Sequence, residues 1–229
     1  MRSGDKFKAD ETGSVNAPRC GAFLRHYDLS MHTTHLLYLH GFRSSPLSAK
    51  AQTMAALVQR RFPLTVWHCP PLPPSPREAM QSVMATVSGW HAEAGFENMA
   101  VIGSSLGGYY ATWLAERMHC KAVLLNPAVK PARDLASYIG ELTNWHDPVG
   151  SFFFKPEFID ELRMLEAGAL KRAKNYLVVI AKGDEVLDWE EMTARYSGAH
   201  IRLLEGGDHA LSDFDAHLPE ILDFLKLAG

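Results

Sequence analysis

The pentapeptide GSSLG at residues 103–107 fits the pattern G-x-S-x-G, with Ser105 at its centre. The apolar residues 99–102 before it predict a short buried strand, and a helical spacing of apolar side chains follows it. A strand, a sharp turn and a helix form the setting in which this motif presents a serine as a nucleophile. Ser104 is the rival nucleophile. Because the two glycines flank Ser105 symmetrically and permit the tight turn, we predict that Ser105 attacks the substrate.

A serine hydroxyl is a good nucleophile only when a neighbouring base takes its proton. His209 follows two glycines after the last predicted strand, and we predict that it is this base. The imidazole needs a carboxylate on its other nitrogen, and Asp184 follows a predicted strand after Lys182 and Gly183. The alternative carboxylates nearby are Glu185, which an extended backbone would point the opposite way, Asp188 and Asp208. The chain order serine, aspartate, histidine is the one found in α/β-hydrolases.

The negative charge that develops on an attacked carbonyl oxygen requires hydrogen-bond donors near the serine. We assign this role to the backbone N–H groups of Phe42, in the loop after the first clear strand, and of Leu106, the residue after the nucleophile. We expect His40 to hydrogen-bond within its loop and to border the substrate pocket. The histidines show no metal-ligand spacing, and the glycines at 103–108 do not follow G-x-G-x-x-G, so we predict neither a metal nor a cofactor.

Six short apolar strands alternate with amphipathic helices along the chain, and the candidate residues follow the strands. This pattern predicts an α/β-hydrolase fold: a mainly parallel sheet of about six strands, helices on both faces, and the site at the carboxyl ends of the strands. The alternation stops at about 127–175, where we predict a small helical insertion that lies over the site as a lid. Trp145 and Phe153 in the insertion are candidate pocket residues with His40. The alternative is that these aromatic side chains only pack the insertion onto the domain.

Residues 1–31 are polar and aperiodic, and we interpret them as a leader or disordered segment before a hydrolase domain at 32–229. Three scattered cysteines indicate a reducing compartment. No apolar run approaches the roughly 18 residues of a membrane-spanning helix, and the charged N-terminus is unlike a signal peptide. We therefore predict a cytoplasmic protein. Its net charge of −3 gives no reason to expect nucleic acid or a membrane as partner.

Five motifs together resemble the YqiA/YcfP-like esterases, small bacterial members of the α/β-hydrolase superfamily. They are LYLHGF at 37–42, GSSLGGYY at 103–110, NPAV at 126–129, GDEVLD at 183–188 and GGDH at 206–209. The resemblance extends from about residue 36 to the C-terminal helix and implies triad positions for Ser105, Asp184 and His209. It also implies a carboxylesterase for short acyl chains, with thioesterase activity toward acyl-CoA in the group. Trp189 and Ala210 depart from the family's pattern beside the site, which bears on substrate preference.

The sequence thus predicts a serine carboxylesterase that acts on small ester or thioester substrates through an acyl-enzyme intermediate. Lys130 and Arg133 are candidates for contacting a CoA phosphate, against the alternative of a solvated surface pair. Two other functions remain open at this stage. One is an α/β-hydrolase with another acyl-transfer or peptidase specificity, since fold and triad do not fix the substrate. The other is a non-catalytic binding protein that retains the fold.

Overall fold

A computed structural model of the protein describes residues 32–93, 98–144 and 147–228. Six strands in these ranges form one sheet in the order β2-β1-β3-β4-β7-β8, and all neighbouring pairs are parallel. The predicted sheet of about six mainly parallel strands is confirmed. Strand β3 lies beside β1 and β4, so the chain leaves three adjacent strands at the same edge, next to Ser105.

The elements alternate along the chain, except in the insertion between β4 and β7. The strands are β1 (His35–Leu39), β2 (Val66–His68), β3 (Met99–Ser104), β4 (Lys121–Leu125), β5 (Gly140–Asn144), β6 (Asp147–Phe154), β7 (Tyr176–Ala181) and β8 (His200–Leu204). The α-helices are α1 (Ala49–Arg61), α2 (Pro76–Glu93), α3 (Leu106–Met118), α4 (Pro131–Asp134), α5 (Glu157–Met164), α6 (Trp189–Arg195) and α7 (Leu218–Leu225). Short 3₁₀ turns lie at Ala136–Tyr138, Ala173–Asn175 and Phe214–His217.

The central strands β1, β3, β4 and β7 of the main sheet are buried on both faces. Along β1, Leu36 and Tyr38 belong to a core shared with α1 and α7, whereas Leu37 and Leu39 belong to a core shared with α2, α3 and α6. Side chains alternate across a strand, so a strand covered on both faces must be apolar at every position. This explains the uninterrupted apolar runs by which the strands are recognisable in the sequence.

The insertion differs in part from the helical lid that its prolines suggested. It contains α4 and α5, but between them β5 and β6 form an antiparallel two-stranded hairpin. In β6, Phe152 and Phe154 pack toward the domain while Phe153 is 58% exposed, as strand alternation requires. A run of three phenylalanines conceals this period of two, because all three positions are apolar. The hairpin was therefore missed from the sequence.

The expected leader, residues 1–31, lies outside the described residues. The part of the chain that carries the five motifs begins in β1. From there the structure describes the chain to residue 228, apart from two short gaps. No described helix combines the length and hydrophobicity that crossing a bilayer requires.

Candidate functional site

Ser105 occupies a strained turn between β3 and α3. Its backbone has φ 55° and ψ −121°, a conformation that residues other than glycine rarely adopt. The turn closes tightly because the flanking residues have no side chain. A Cβ atom on Gly103 would lie 2.3 Å from the carbonyl oxygen of Gly107, and one on Gly107 would lie 2.0 Å from that of Leu39. Both glycines are thus required where the sequence motif has them.

The structure brings Ser105, His209 and Asp184 together. His209 Nε2 lies 3.0 Å from Ser105 Oγ, and Nδ1 lies 3.0 and 2.8 Å from the two carboxylate oxygens of Asp184. A carboxylate only accepts hydrogen bonds, so Nδ1 carries the proton and donates to Asp184. In the neutral imidazole Nε2 is then free to accept the hydroxyl proton of Ser105. This is the arrangement a general base requires.

Asp184 is fixed by its own loop. The carboxylate is fully buried, and its Oδ1 also accepts the backbone N–H groups of Val186 and Leu187 at 2.8 Å each. Since the loop turns here instead of continuing extended, the next residue does not point away as we expected. Glu185 Oε2 accepts the backbone N–H of His209 at 3.0 Å, and so holds the histidine loop rather than the imidazole.

The two amides assigned to the oxyanion belong to segments next to the serine. Leu106 is the first residue of α3, so its N–H has no acceptor one turn earlier in the helix. Phe42 lies in the loop after β1, next to Gly41, where an added Cβ would lie 3.7 Å from Ser105 Oγ. Among the described residues, neither amide donates to a protein acceptor. Both are therefore available to a ligand.

A pocket of about 420 Å³ opens beside these amides. It is lined by residues 40–47, by the proline loop 71–74, and by Leu106, Tyr110, Asn144 and Phe152. His40 lines it as expected, and its ring also accepts the N–H of Leu72 at 3.1 Å. Phe153 does not line it and its neighbour Phe152 does, because alternate side chains of β6 face opposite ways. Trp145 lies outside the described residues.

No sequence pattern selects Phe152 over its neighbours, and none points to Tyr110 or to the proline loop as pocket residues. Phe42 supports this wall: its ring packs edge-on against Phe152 and Phe154, with centroids 6.3 and 5.1 Å away. The register in which β6 pairs with β5 decides which side chains of β6 face the domain, and it places Phe152 on that face. That register depends on tertiary pairing, which a single sequence does not report.

Lys130 and Arg133 are engaged by a carboxylate of the domain itself. Lys130 Nζ lies 2.6 Å from Glu191 Oε1, and Arg133 donates to both Glu191 oxygens at 2.7 and 2.9 Å. Hydrogen bonds from Arg133 and then Lys130 lower the pKa of Glu191 from 4.5 to about 2. The two basic residues therefore connect the insertion to α6. Their sequence alone suggested only a phosphate contact or a solvated surface pair. In the described ranges, no group of three or more His, Cys, Asp or Glu side chains is arranged to hold a metal ion.

Solved structures with the same architecture come from hydrolases. A candidate hydrolase from Agrobacterium vitis S4 superposes with a TM-score of 0.67 at 17% identity, covering 85% of this chain and 90% of its own. Mouse alpha/beta hydrolase domain-containing protein 10 gives 0.60 at 14% identity, covering 84% and 91%. One of the metagenome-derived lipolytic enzymes LipS and LipT gives 0.60 at 17% identity, covering 85% and 94%. The chain has the α/β-hydrolase fold.

The family is defined by sequence. Residues 35–226 match the model of the uncharacterised protein family UPF0227, and the chain belongs to that family. A UPF0227 protein of Shewanella sediminis (strain HAW-EB3) is 23% identical over 188 residues, which are 81% of this chain and 96% of the relative. UPF0227 is the YqiA/YcfP family, so the resemblance found in the motifs is confirmed.

Proposed function

We propose that the protein is a serine carboxylesterase that hydrolyses small acyl esters with Ser105, His209 and Asp184 as its catalytic residues. The observation that carries the proposal is the position of His209, which bridges the other two side chains at 2.8 to 3.0 Å. A histidine with one nitrogen on a hydroxyl and the other on a carboxylate is the arrangement that activates the serine of a Ser-His-Asp triad. The hydrolases and lipolytic enzymes that share the fold agree with this chemistry.

The reaction proceeds in two halves. His209 Nε2 takes the proton of Ser105 as Oγ bonds to the ester carbonyl carbon, and the Phe42 and Leu106 amides bind the oxyanion. The imidazolium, stabilised by Asp184, then gives its proton to the departing alcohol oxygen as the carbon–oxygen bond breaks. Water repeats these steps on the acyl-enzyme and releases the carboxylic acid. Each oxyanion donor contributes on the order of 3–4 kcal/mol to transition-state stabilisation.

A short acyl group suits the pocket. Its volume of about 420 Å³ lies toward the lower end of ligand pockets, which run from roughly 300 to 1,000 Å³. Acyl-CoA thioesters remain a second substrate class by family resemblance. They are less favoured because the basic residues Lys130 and Arg133 are already paired with Glu191 and Asp134.

The proposal also covers the limits of the catalytic domain along the chain and the cellular compartment of the protein. We propose residues 32–229 as the catalytic domain, with the insertion at about 127–175 as its lid, and residues 1–31 as dispensable for activity. The cytoplasm is the proposed compartment, because three scattered cysteines suit reducing conditions. Deletion of residues 1–31 tests the boundary: unchanged kcat supports it, and loss of activity contradicts it.

The decisive experiment measures hydrolysis of p-nitrophenyl esters of graded chain length by the wild type, Ser105→Ala and Ser104→Ala. We expect Ser105→Ala to lose on the order of 10⁶-fold in kcat, while Ser104→Ala keeps most of its activity. Labelling with a fluorophosphonate probe, abolished only in Ser105→Ala, separates an enzyme from a binding protein with the same fold. If Ser105→Ala hydrolyses esters as well as the wild type, the proposal is wrong.

A further inference from the structure

Asn126 is the residue that follows β4, and it is completely buried. Its backbone is left-handed, with φ 41°, which asparagine tolerates better than most residues. A buried amide must satisfy its donors and its acceptor within the protein. The side chain of Asn126 finds its partners in segments that are distant in the sequence. Its Oδ1 accepts the N–H of Ala181 at 2.8 Å, and its Nδ2 donates to the carbonyls of Asp208 and His209 at 3.0 and 3.2 Å.

These three partners belong to the two loops that carry Asp184 and His209. Ala181 ends β7, and its carbonyl accepts the N–H of Asp184 at 3.2 Å. The two carbonyls bonded by Nδ2 lie in the histidine loop itself. One side chain therefore fixes the distance between the strand that carries the carboxylate and the loop that carries the imidazole.

The turn that contains Asn126 is also bonded to the serine. The N–H of Ser105 donates to the carbonyl of Leu125, and the N–H of Ala128 donates to the carbonyl of Ser105, both at 3.0 Å. The residues on either side of Asn126 thus hold the nucleophile's backbone. Asn126 and its neighbours are the place where the segments of all three proposed catalytic residues are joined.

Among the described residues, two other side chains from outside the histidine loop bond to its backbone, but both lie nearer to solvent. Exposed Glu185 accepts the N–H of His209, and half-buried Lys50 donates to the carbonyl of Ala210. Water can replace part of an exposed hydrogen bond after a side chain is removed, whereas it reaches a fully buried one only through a new cavity. Water would therefore replace the hydrogen bonds of Asn126 less readily than those of Glu185 or Lys50.

We propose that Asn126 is a positioning residue that keeps the His209 imidazole between Ser105 and Asp184. This inference rests on the proposed function and adds a residue that touches neither substrate nor reacting atoms. Its contribution is geometric: it fixes the histidine loop, and the loop fixes the ring. A displacement of about 1 Å at a catalytic group costs on the order of 100-fold in rate.

Two variants test the amide without straining the backbone. Asn126→Gly removes the side chain and suits the left-handed turn. Asn126→Asp keeps the size and the acceptor for Ala181, but turns an oxygen toward the two carbonyls of the histidine loop. Thr112→Val is the matched control, because Thr112 is equally buried and bonded to Gly108 and Tyr196, away from the histidine loop.

For Asn126→Gly we expect kcat for a p-nitrophenyl ester to fall by about 100-fold while KM changes by less than about threefold. Asn126→Asp should lose kcat likewise, and Thr112→Val should keep the kcat of the wild type. A purely structural role would lower the thermal midpoint without separating the effect on kcat from the effect on KM.

The inference is overturned if Asn126→Gly keeps kcat within about twofold of the wild type, or raises KM by as much as it lowers kcat. A readout independent of turnover is the downfield proton resonance of the His209 Nδ1–H bonded to Asp184. We expect Asn126→Gly to weaken this resonance and Thr112→Val to preserve it; an unchanged resonance in Asn126→Gly rejects the positioning role. Should Ser105→Ala instead remain active, the proposed function fails, while the resonance still decides whether Asn126 holds the imidazole.

Discussion

Replacing Gly41 by alanine tests whether the loop after β1 holds an oxyanion donor beside the serine. The new Cβ would lie 3.2 Å from Ser105 Cβ, 3.4 Å from the carbonyl oxygen of Ser104 and 3.7 Å from Ser105 Oγ. Carbon atoms pack best at about 3.5–4.0 Å, so one side must move by a few tenths of an ångström. The turn at Ser105 has no room to yield, because the backbone around Gly103 and Gly107 leaves no space even for a Cβ atom. The Gly41 loop moves instead and takes the N–H of Phe42 with it.

The size of the effect follows from this displacement. Complete loss of one oxyanion donor costs about 10²- to 10³-fold in kcat, and a partial shift costs less. We therefore expect Gly41→Ala to lose about 10- to 100-fold in kcat. The fold should tolerate the change. Overpacking costs about 1–3 kcal/mol, and the lower entropy of the unfolded alanine chain offsets about 0.4–1 kcal/mol of it.

The assay is p-nitrophenyl ester hydrolysis together with thermal unfolding followed by circular dichroism. Gly89→Ala in α2 is the matched control, because a Cβ at Gly89 meets nothing within 4 Å. That variant should keep full activity and gain slightly in stability, since alanine favours a helix interior. If Gly41→Ala folds and keeps kcat within about twofold of the wild type, the Phe42 amide does not bind the oxyanion as we propose.

Two further changes probe the pocket and the insertion. Phe152→Ala should enlarge the pocket and raise kcat/KM for hexanoate relative to acetate esters by about tenfold, whereas Phe153→Ala, exposed in the same strand, should leave that ratio unchanged; equal shifts in both would contradict the pocket wall. Because folding lowers the pKa of Glu191 from 4.5 to about 2, its ion pairs stabilise the protein fully above pH 4.5, and this stabilisation is lost as the pH falls through 2. Glu191→Gln should therefore unfold more easily than the wild type at pH 6, by no more than about 1 kcal/mol because solvent screens the pair, and the difference should vanish at pH 2. Glu190→Gln is the matched control, and a difference that persists at pH 2 would reject the ion-pair explanation.

Much of the fold was predictable because the main strands are buried on both faces. Strands β3 and β7 are buried at every position, so their apolar runs mark them in the sequence. The meeting of Ser105, Asp184 and His209 was also predictable, since the carboxyl ends of parallel strands share one edge. Local patterns and one topological rule were enough for these features.

The remaining features depend on partners that are distant in the sequence. Glu185 holds the histidine loop because the chain turns after Gly183, and the sequence pattern suggested extended backbone. Arg133 meets Glu191 across 58 residues, so its charge alone suggested a free surface cation. The importance of Asn126 is likewise invisible in isolation, because an asparagine before a proline also fits an ordinary turn.

The pocket and the reacting side chains come from different parts of the chain. The pocket wall is made by the loop after β1, the proline loop, the start of α3 and the hairpin, none of which contains Ser105, Asp184 or His209. Substitutions in the wall can therefore alter which acyl group is accepted while the proton-transfer machinery stays the same. Relatives that keep the same three residues can therefore evolve different acyl specificities by changing one loop at a time, with the catalytic mechanism unchanged.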